Sequence, residues 1–122
     1  PKLMDVAVSK NISMGMPLDK QKKLNGITFN EMEDIMARNN YQLIDLREQS
    51  EIDIIPSLKN SKNITYSNLP NYLNSKNKEL LKIDIVFYCA VGERSALAIQ
   101  LCNSYNLKKV FHLIGGIKGI DK

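Results

Sequence analysis

The sequence predicts an α/β domain built on a mostly parallel sheet with helices on both faces. Two features of the chain carry that expectation. Short apolar runs alternate with segments of helical periodicity. Those runs also show little in/out alternation, as strands buried on both faces do. A length of 122 residues suits one domain whose core needs no disulfide staples.

Residues 1–25 mix Lys, Met, Ser and Pro without sustained periodicity and read as an N-terminal arm or linker, ahead of a domain over 26–122. The start at Pro1 rather than Met is compatible with a piece of a larger protein. Thr28 and Glu31 have capping-box spacing, and Met32, Ile35 and Met36 follow as an apolar stripe, so a helix is expected to about Arg38, closed by Asn39 and Asn40. Residues 41–45 read as a buried strand that ends on the carboxylate of Asp45. One or two helical turns over 47–53 should stop ahead of Pro56.

A short strand is expected over 63–66, then a brief helix over 67–73 with Pro70 in its first turn, then a Lys/Asn loop. Residues 83–89 form the clearest strand and 95–105 the clearest helix, whose apolar face comes from Ala96, Leu97, Ile99, Leu101 and Cys102. A last strand covers 109–114, and Gly115-Gly116 opens a final turn. Ligands of such sheets sit beyond the carboxyl ends of the strands, where Asp45 and Cys89 both fall.

A net charge of +4 is modest, and most of the 17 basic residues are Lys scattered through Asn-rich stretches. No stripe of clustered cations and aromatics argues for nucleic acid, and no apolar stretch is long enough to span a membrane. Two cysteines 13 residues apart have no metal-ligand spacing and make no CxxC pair, which points to a reducing, cytoplasmic setting without a metal or other cofactor.

The segment YCAVGERSA, residues 88–96, concentrates the chemistry. Cys89 ends a central strand, Gly92 allows a tight reversal, and a helix is expected from about Ser95. The loop N–H groups then form an anion-holding nest, backed by the helix dipole and Arg94, and a thiol on its floor favours the thiolate. Cysteine phosphatases need Arg six positions after the Cys, whereas Arg94 comes five after Cys89 and the sixth position is Ser95. The tighter ring suits a single extra sulfur atom rather than a phosphoryl group. Cys102, two turns into the helix, is too far along the axis to resolve Cys89. His112, inside a strand, reads as a structural histidine.

With LIDLRE (43–48), Glu51, VFYCAVGERSALA (86–98) and VFHLIGGI (110–117) in this order, the sequence resembles the rhodanese family of sulfurtransferases from about Ile27 onward. The resemblance implies a rhodanese-like, five-stranded, mostly parallel sheet. It also implies that Cys89 attacks a sulfane sulfur, holds it as a persulfide and passes it to a thiol, cyanide or protein acceptor. The backbone of Ala90, Val91, Gly92, Glu93 and Arg94 would cradle that sulfur, and Asp45 and Arg47 would shape the site. The implied partners are a small sulfur donor or a persulfide protein, with a ubiquitin-like sulfur-carrier protein as a further acceptor. The alternative is a noncatalytic or regulatory rhodanese-like module, such as the terminal domain of a larger E1-like adenylyltransferase.

Several positions depart from the family pattern. EIDIIPSLKN (51–60) replaces the usual Gly-His-Ile stretch, Ile120 stands where a Trp is common, and Ala90 with Glu93 replaces a cation beside the Cys. These departures argue for weak use of dianionic thiosulfate.

Overall fold

The strand that leads to Cys89 lies in the middle of the sheet, and its two faces set the architecture. The computed structural model describes residues 16–38 and 40–120, so residues 1–15 of the expected arm and the helix-closing Asn39 lie outside the described residues. The elements are α1 (Leu18–Lys23), β1 (Gly26–Ile27), α2 (Phe29–Arg38), β2 (Tyr41–Asp45), α3 (Gln49–Ile54) and β3 (Ser61–Asn63). After a 3₁₀ turn at Tyr66–Asn68 come α4 (Leu69–Leu80), β4 (Asp84–Tyr88), α5 (Glu93–Asn103), β5 (Val110–Leu113) and a last 3₁₀ turn at Ile117–Gly119.

The strand order is β1-β5-β4-β2-β3, and all four pairings are parallel. Alternate residues of β4 serve opposite layers. Ile85 and Phe87, with Cys89 beyond them, join Leu69, Leu73 and Leu80 of α4 and Ala98, Ile99 and Cys102 of α5. Val86 and Tyr88 pack on the other side with Met32 and Ile35 of α2. Burial of both faces explains the nearly unbroken apolar run. The chain leaves β2 towards β3 and leaves β4 towards β5, in opposite directions, which opens a crevice at the carboxyl ends of these two neighbours.

The capping box of α2 forms as its spacing predicts. The Thr28 N–H donates to Glu31 at 2.8 Å, and the Glu31 N–H donates to Thr28 Oγ1 at 3.1 Å.

Three elements away from the cysteine loop depart most from expectation. Helix α4 runs to Leu80 instead of giving way to a loop after residue 73. Leu69, Leu73 and Leu80 fall within about 40° of one another around a helix, and each buries a side chain worth about 1.5–3 kcal/mol, which outweighs the weak propensities of the Asn and Ser between them. Strand β3 sits at 61–63, two residues earlier than the expected 63–66. It is an edge strand of polar residues, and Ile64 and Tyr66 follow it with N–H groups on the carbonyls of Asp45 and Leu46. Residues 18–23, within the stretch that lacked periodicity, form α1, which packs beside β1 and sets Gln21 in the interior.

Candidate active site

Helix α5 begins at Glu93, two residues before the expected start, because Gly92 is its N-cap at φ +98° and makes the reversal by itself. Arg94 and Ser95 therefore belong to the first helical turn, not to a free loop. Glu93, exposed at the first position, complements the positive helix end. The Cys89 sulfur sits under this turn, fully buried. Sγ accepts the amide N–H groups of Gly92 at 3.2 Å and Ser95 at 3.4 Å, and it lies 3.6 Å from Ser95 Oγ.

The Gly-Gly-Ile turn holds the loop from behind. The Ile117 N–H donates to the Cys89 carbonyl at 2.8 Å, and the Lys118 N–H donates to that of Ala90 at 3.0 Å. A Cβ on Gly116 would overlap the Ala90 carbonyl, so only glycine permits this approach. Ala90 is consequently buried, while Val91 and Glu93 face outward.

Two ion pairs flank the loop. Arg94 forms a bidentate pair with Glu51 of α3, Nη1 to Oε2 at 2.9 Å and Nη2 to Oε1 at 2.7 Å. Hydrogen bonding from Arg94, aided by the Glu48 amide, overcomes burial and holds the Glu51 carboxyl at about 2. Asp45 and Arg47 pair in the interior, with Nη2 to Oδ2 at 2.8 Å and Nε to Oδ1 at 3.0 Å. Burial pushes the Asp45 carboxyl up, but hydrogen bonds from Arg47 and Ser57 together outweigh it and leave it below its ordinary value. The Arg47 guanidinium also lies 5.9 Å from the centroid of the Tyr88 ring. Asp45 and Arg47 thus lie fully buried beside Tyr88, with the charge of Arg47 acting on Glu51.

A model of the rhodanese-like domain matches residues 28–122. The chain belongs to the rhodanese-like domain family. Solved structures agree. A rhodanese-related protein of Thermoplasma volcanium is 29% identical, with a TM-score of 0.60 over 77% of this chain and 87% of that one. The reduced CoADR-RHD of Bacillus anthracis is 26% identical, with a TM-score of 0.61 over 80% of this chain but 16% of that larger one. A Rhodopseudomonas palustris protein of unknown function, described as a possible tyrosine phosphatase, has a TM-score of 0.65 over 88% of this chain and 91% of that one. At 23% identity that last likeness bears on the fold alone. No curated protein matches the chain.

Within this rhodanese-like site, sequence reasoning underrated three residues. Ser95 counted as the sixth position after the Cys and the approximate helix start, yet its amide and hydroxyl both face Sγ. His112 is the buried histidine that was expected, and Ser95 Oγ lies 2.9 Å from its Nδ1. Gln21 comes from outside the residues that the family model matches. Its side-chain amide donates to the Val91 carbonyl at 3.2 Å and accepts the Gly115 N–H at 2.8 Å, tying the cysteine loop to the Gly-Gly turn. Spans of 70 and 94 residues separate these partners, so no local pattern announces them.

Burial pushes the Cys102 thiol up to about 12, which leaves it an inert core residue. Among the described residues no group of three or more His, Cys, Asp or Glu is placed to hold a metal ion, and no helix is long and apolar enough to cross a membrane.

Proposed function

We propose that this rhodanese-like domain is a sulfurtransferase that carries sulfane sulfur as a persulfide on Cys89. The observation that supports it most is the pair of N–H groups, from Gly92 and Ser95, that converge on a thiol sulfur five residues before Arg94. The thiolate attacks the outer sulfur of a donor, the new S–S bond forms, and the donor's own sulfur bond breaks with its electron pair leaving on sulfite or a thiolate. A nucleophilic acceptor then attacks the outer sulfur of the persulfide and returns Cys89 as thiolate. The loop N–H groups stabilise negative sulfur at both stages without reorganising.

The donor this site favours is a low-molecular-weight or protein-bound persulfide rather than thiosulfate, because exposed Glu93 opposes a dianion. Acceptors on this reading are thiols, cyanide in the assay, or a ubiquitin-like sulfur carrier. A sulfane donor plus cyanide should yield thiocyanate in a Cys89-dependent reaction, while aryl phosphates stay at background hydrolysis. Cys89-dependent phosphatase turnover would reverse the assignment of reaction class.

Full burial of Cys89 favours a second reading, a noncatalytic rhodanese-like module within a larger protein. Absence of thiocyanate with every donor class would select it.

A further inference from the structure

The interior side of Cys89 ends on a hydrogen-bond chain that the sulfur-transfer reading does not use. His112 Nε2 lies 2.9 Å from the main-chain carbonyl of Gln21. A carbonyl can only accept, so Nε2 carries the proton and Nδ1 of the neutral ring is left as an acceptor. Ser95 Oγ lies 2.9 Å from Nδ1 and 3.3 Å from the Gly92 carbonyl, and its single proton goes to the nearer acceptor, Nδ1. That turns the Ser95 lone pairs towards Cys89, whose S–H donates to Oγ across 3.6 Å. The carbonyl that fixes the tautomer is itself fixed, because the Gln21 side chain is anchored to the loop and to Gly115.

We propose that Ser95 and His112 form an internal proton relay for Cys89. When the sulfur becomes nucleophilic, Cys89 gives its proton to Ser95 Oγ as Ser95 passes its own to His112 Nδ1. The products are a thiolate that accepts from Ser95 and an imidazolium whose N–H groups donate to Ser95 Oγ and the Gln21 carbonyl. No proton leaves the protein. The thiolate then forms the persulfide and expels the donor's leaving group, and the imidazolium charge stays opposite the anionic sulfur. After transfer to the acceptor, the proton returns along the same path.

Burial pushes the His112 ring down and the Gln21 carbonyl partly offsets it, so the resting ring is neutral, and the imidazolium formed in the relay depends on the anionic sulfur opposite it to offset that burial. The flanking strands place Gly26 and Phe87 opposite His112, and neither carries charge. Its polar contacts are Ser95 from α5 and Gln21 from α1. Arg94, whose charge interacts with Cys89, is paired with Glu51.

The relay rests on the reading of Cys89 as the sulfur carrier, and its test separates the two. The chain has a single histidine, so ring ¹⁵N signals need no assignment. Long-range ¹H–¹⁵N spectra should show the Nε2–H tautomer in the reduced protein and an imidazolium once a persulfide donor has loaded Cys89. In Ser95→Ala the ring should stay neutral in both states, and Ser95→Thr should restore the change. Iodoacetamide alkylation of Cys89 at neutral pH should slow roughly tenfold in Ser95→Ala and in His112→Asn, which keeps an acceptor but cannot take the proton, as expected for losing one hydrogen bond to a charged group. Sulfur uptake with an unchanged neutral ring would overturn the relay and leave sulfur transfer standing. Slowed alkylation in both variants without any sulfur uptake would support the relay and count against sulfur transfer.

Discussion

Arg94 and Glu51 close on each other through two hydrogen bonds, of 2.9 and 2.7 Å, and so bolt α3 to the first turn of α5. The Arg94 cation is committed to a carboxylate 43 residues earlier. Its charge is felt at Cys89, but its geometry serves the loop. Arg is suited to this role because its planar fork matches a carboxylate on two bonds, which Lys cannot do.

Glu51→Gln should therefore destabilise the fold in a pH-dependent way. The folded Glu51 carboxyl sits at about 2 against an ordinary 4.5, so its contribution is full above the ordinary value and fades as pH falls towards the folded one. For a partly exposed, solvent-screened pair the loss at neutral pH is about 1–2 kcal/mol. Urea melts of wild type and variant should differ by that amount near neutrality and converge in acid. A gap that widens on acidification would contradict the ion-pair account.

The buried Asp45–Arg47 pair makes a different forecast. Arg47→Met leaves a carboxylate in the interior without its cation and should cost about 3–5 kcal/mol. Adding Asp45→Asn should recover part of that loss. Denaturant titrations of both variants read the difference, and a double variant less stable than Arg47→Met would show that the pair is not the cause.

Gly92 is held for two separable reasons. Its φ of +98° is unfavourable for any L residue, and a Cβ there would fall on the Gln21 amide. Gly92→Ala should lose more than the ~1–2 kcal/mol of the backbone term alone. In a Gln21→Ala background only the backbone term should remain. A double-mutant cycle by chemical denaturation measures the difference, and equal losses in both backgrounds would remove Gln21 from the argument.

Donor preference depends on Glu93. Ala90 is buried, with Gly116 against its carbonyl, whereas Glu93 is exposed and free to change. Glu93→Gln should raise kcat/KM for thiosulfate about 3- to 10-fold and leave a neutral donor unaffected. Added salt should narrow the gap between wild type and variant. A gap insensitive to salt would point away from charge.

Sequence reasoning located β2, β4 and the capped start of α2 closely, because each carries a local signature: an apolar run buried on both faces, or a capping box. It missed the length of α4, where three leucines at positions 69, 73 and 80 are diluted by polar residues on the solvent side. It placed β3 late because an edge strand of Ser, Lys and Asn has no apolar pattern to follow. At the site, the count from Cys89 to Arg94 was legible, and so was Gly92 as the turning point. The partners of Ser95 were not. The Gln21–His112–Ser95 chain joins α1, β5 and α5, and such long-range contacts exist only once the sheet has assembled.

The central claim is that Cys89 carries sulfur, and intact-mass spectrometry after exposure to a sulfane donor tests it most directly. Wild type and Cys102→Ala should each gain the mass of one sulfur atom, release it to cyanide, and gain it again. Cys89→Ser should gain nothing. An adduct that survives in Cys89→Ser and disappears in Cys102→Ala would contradict the account.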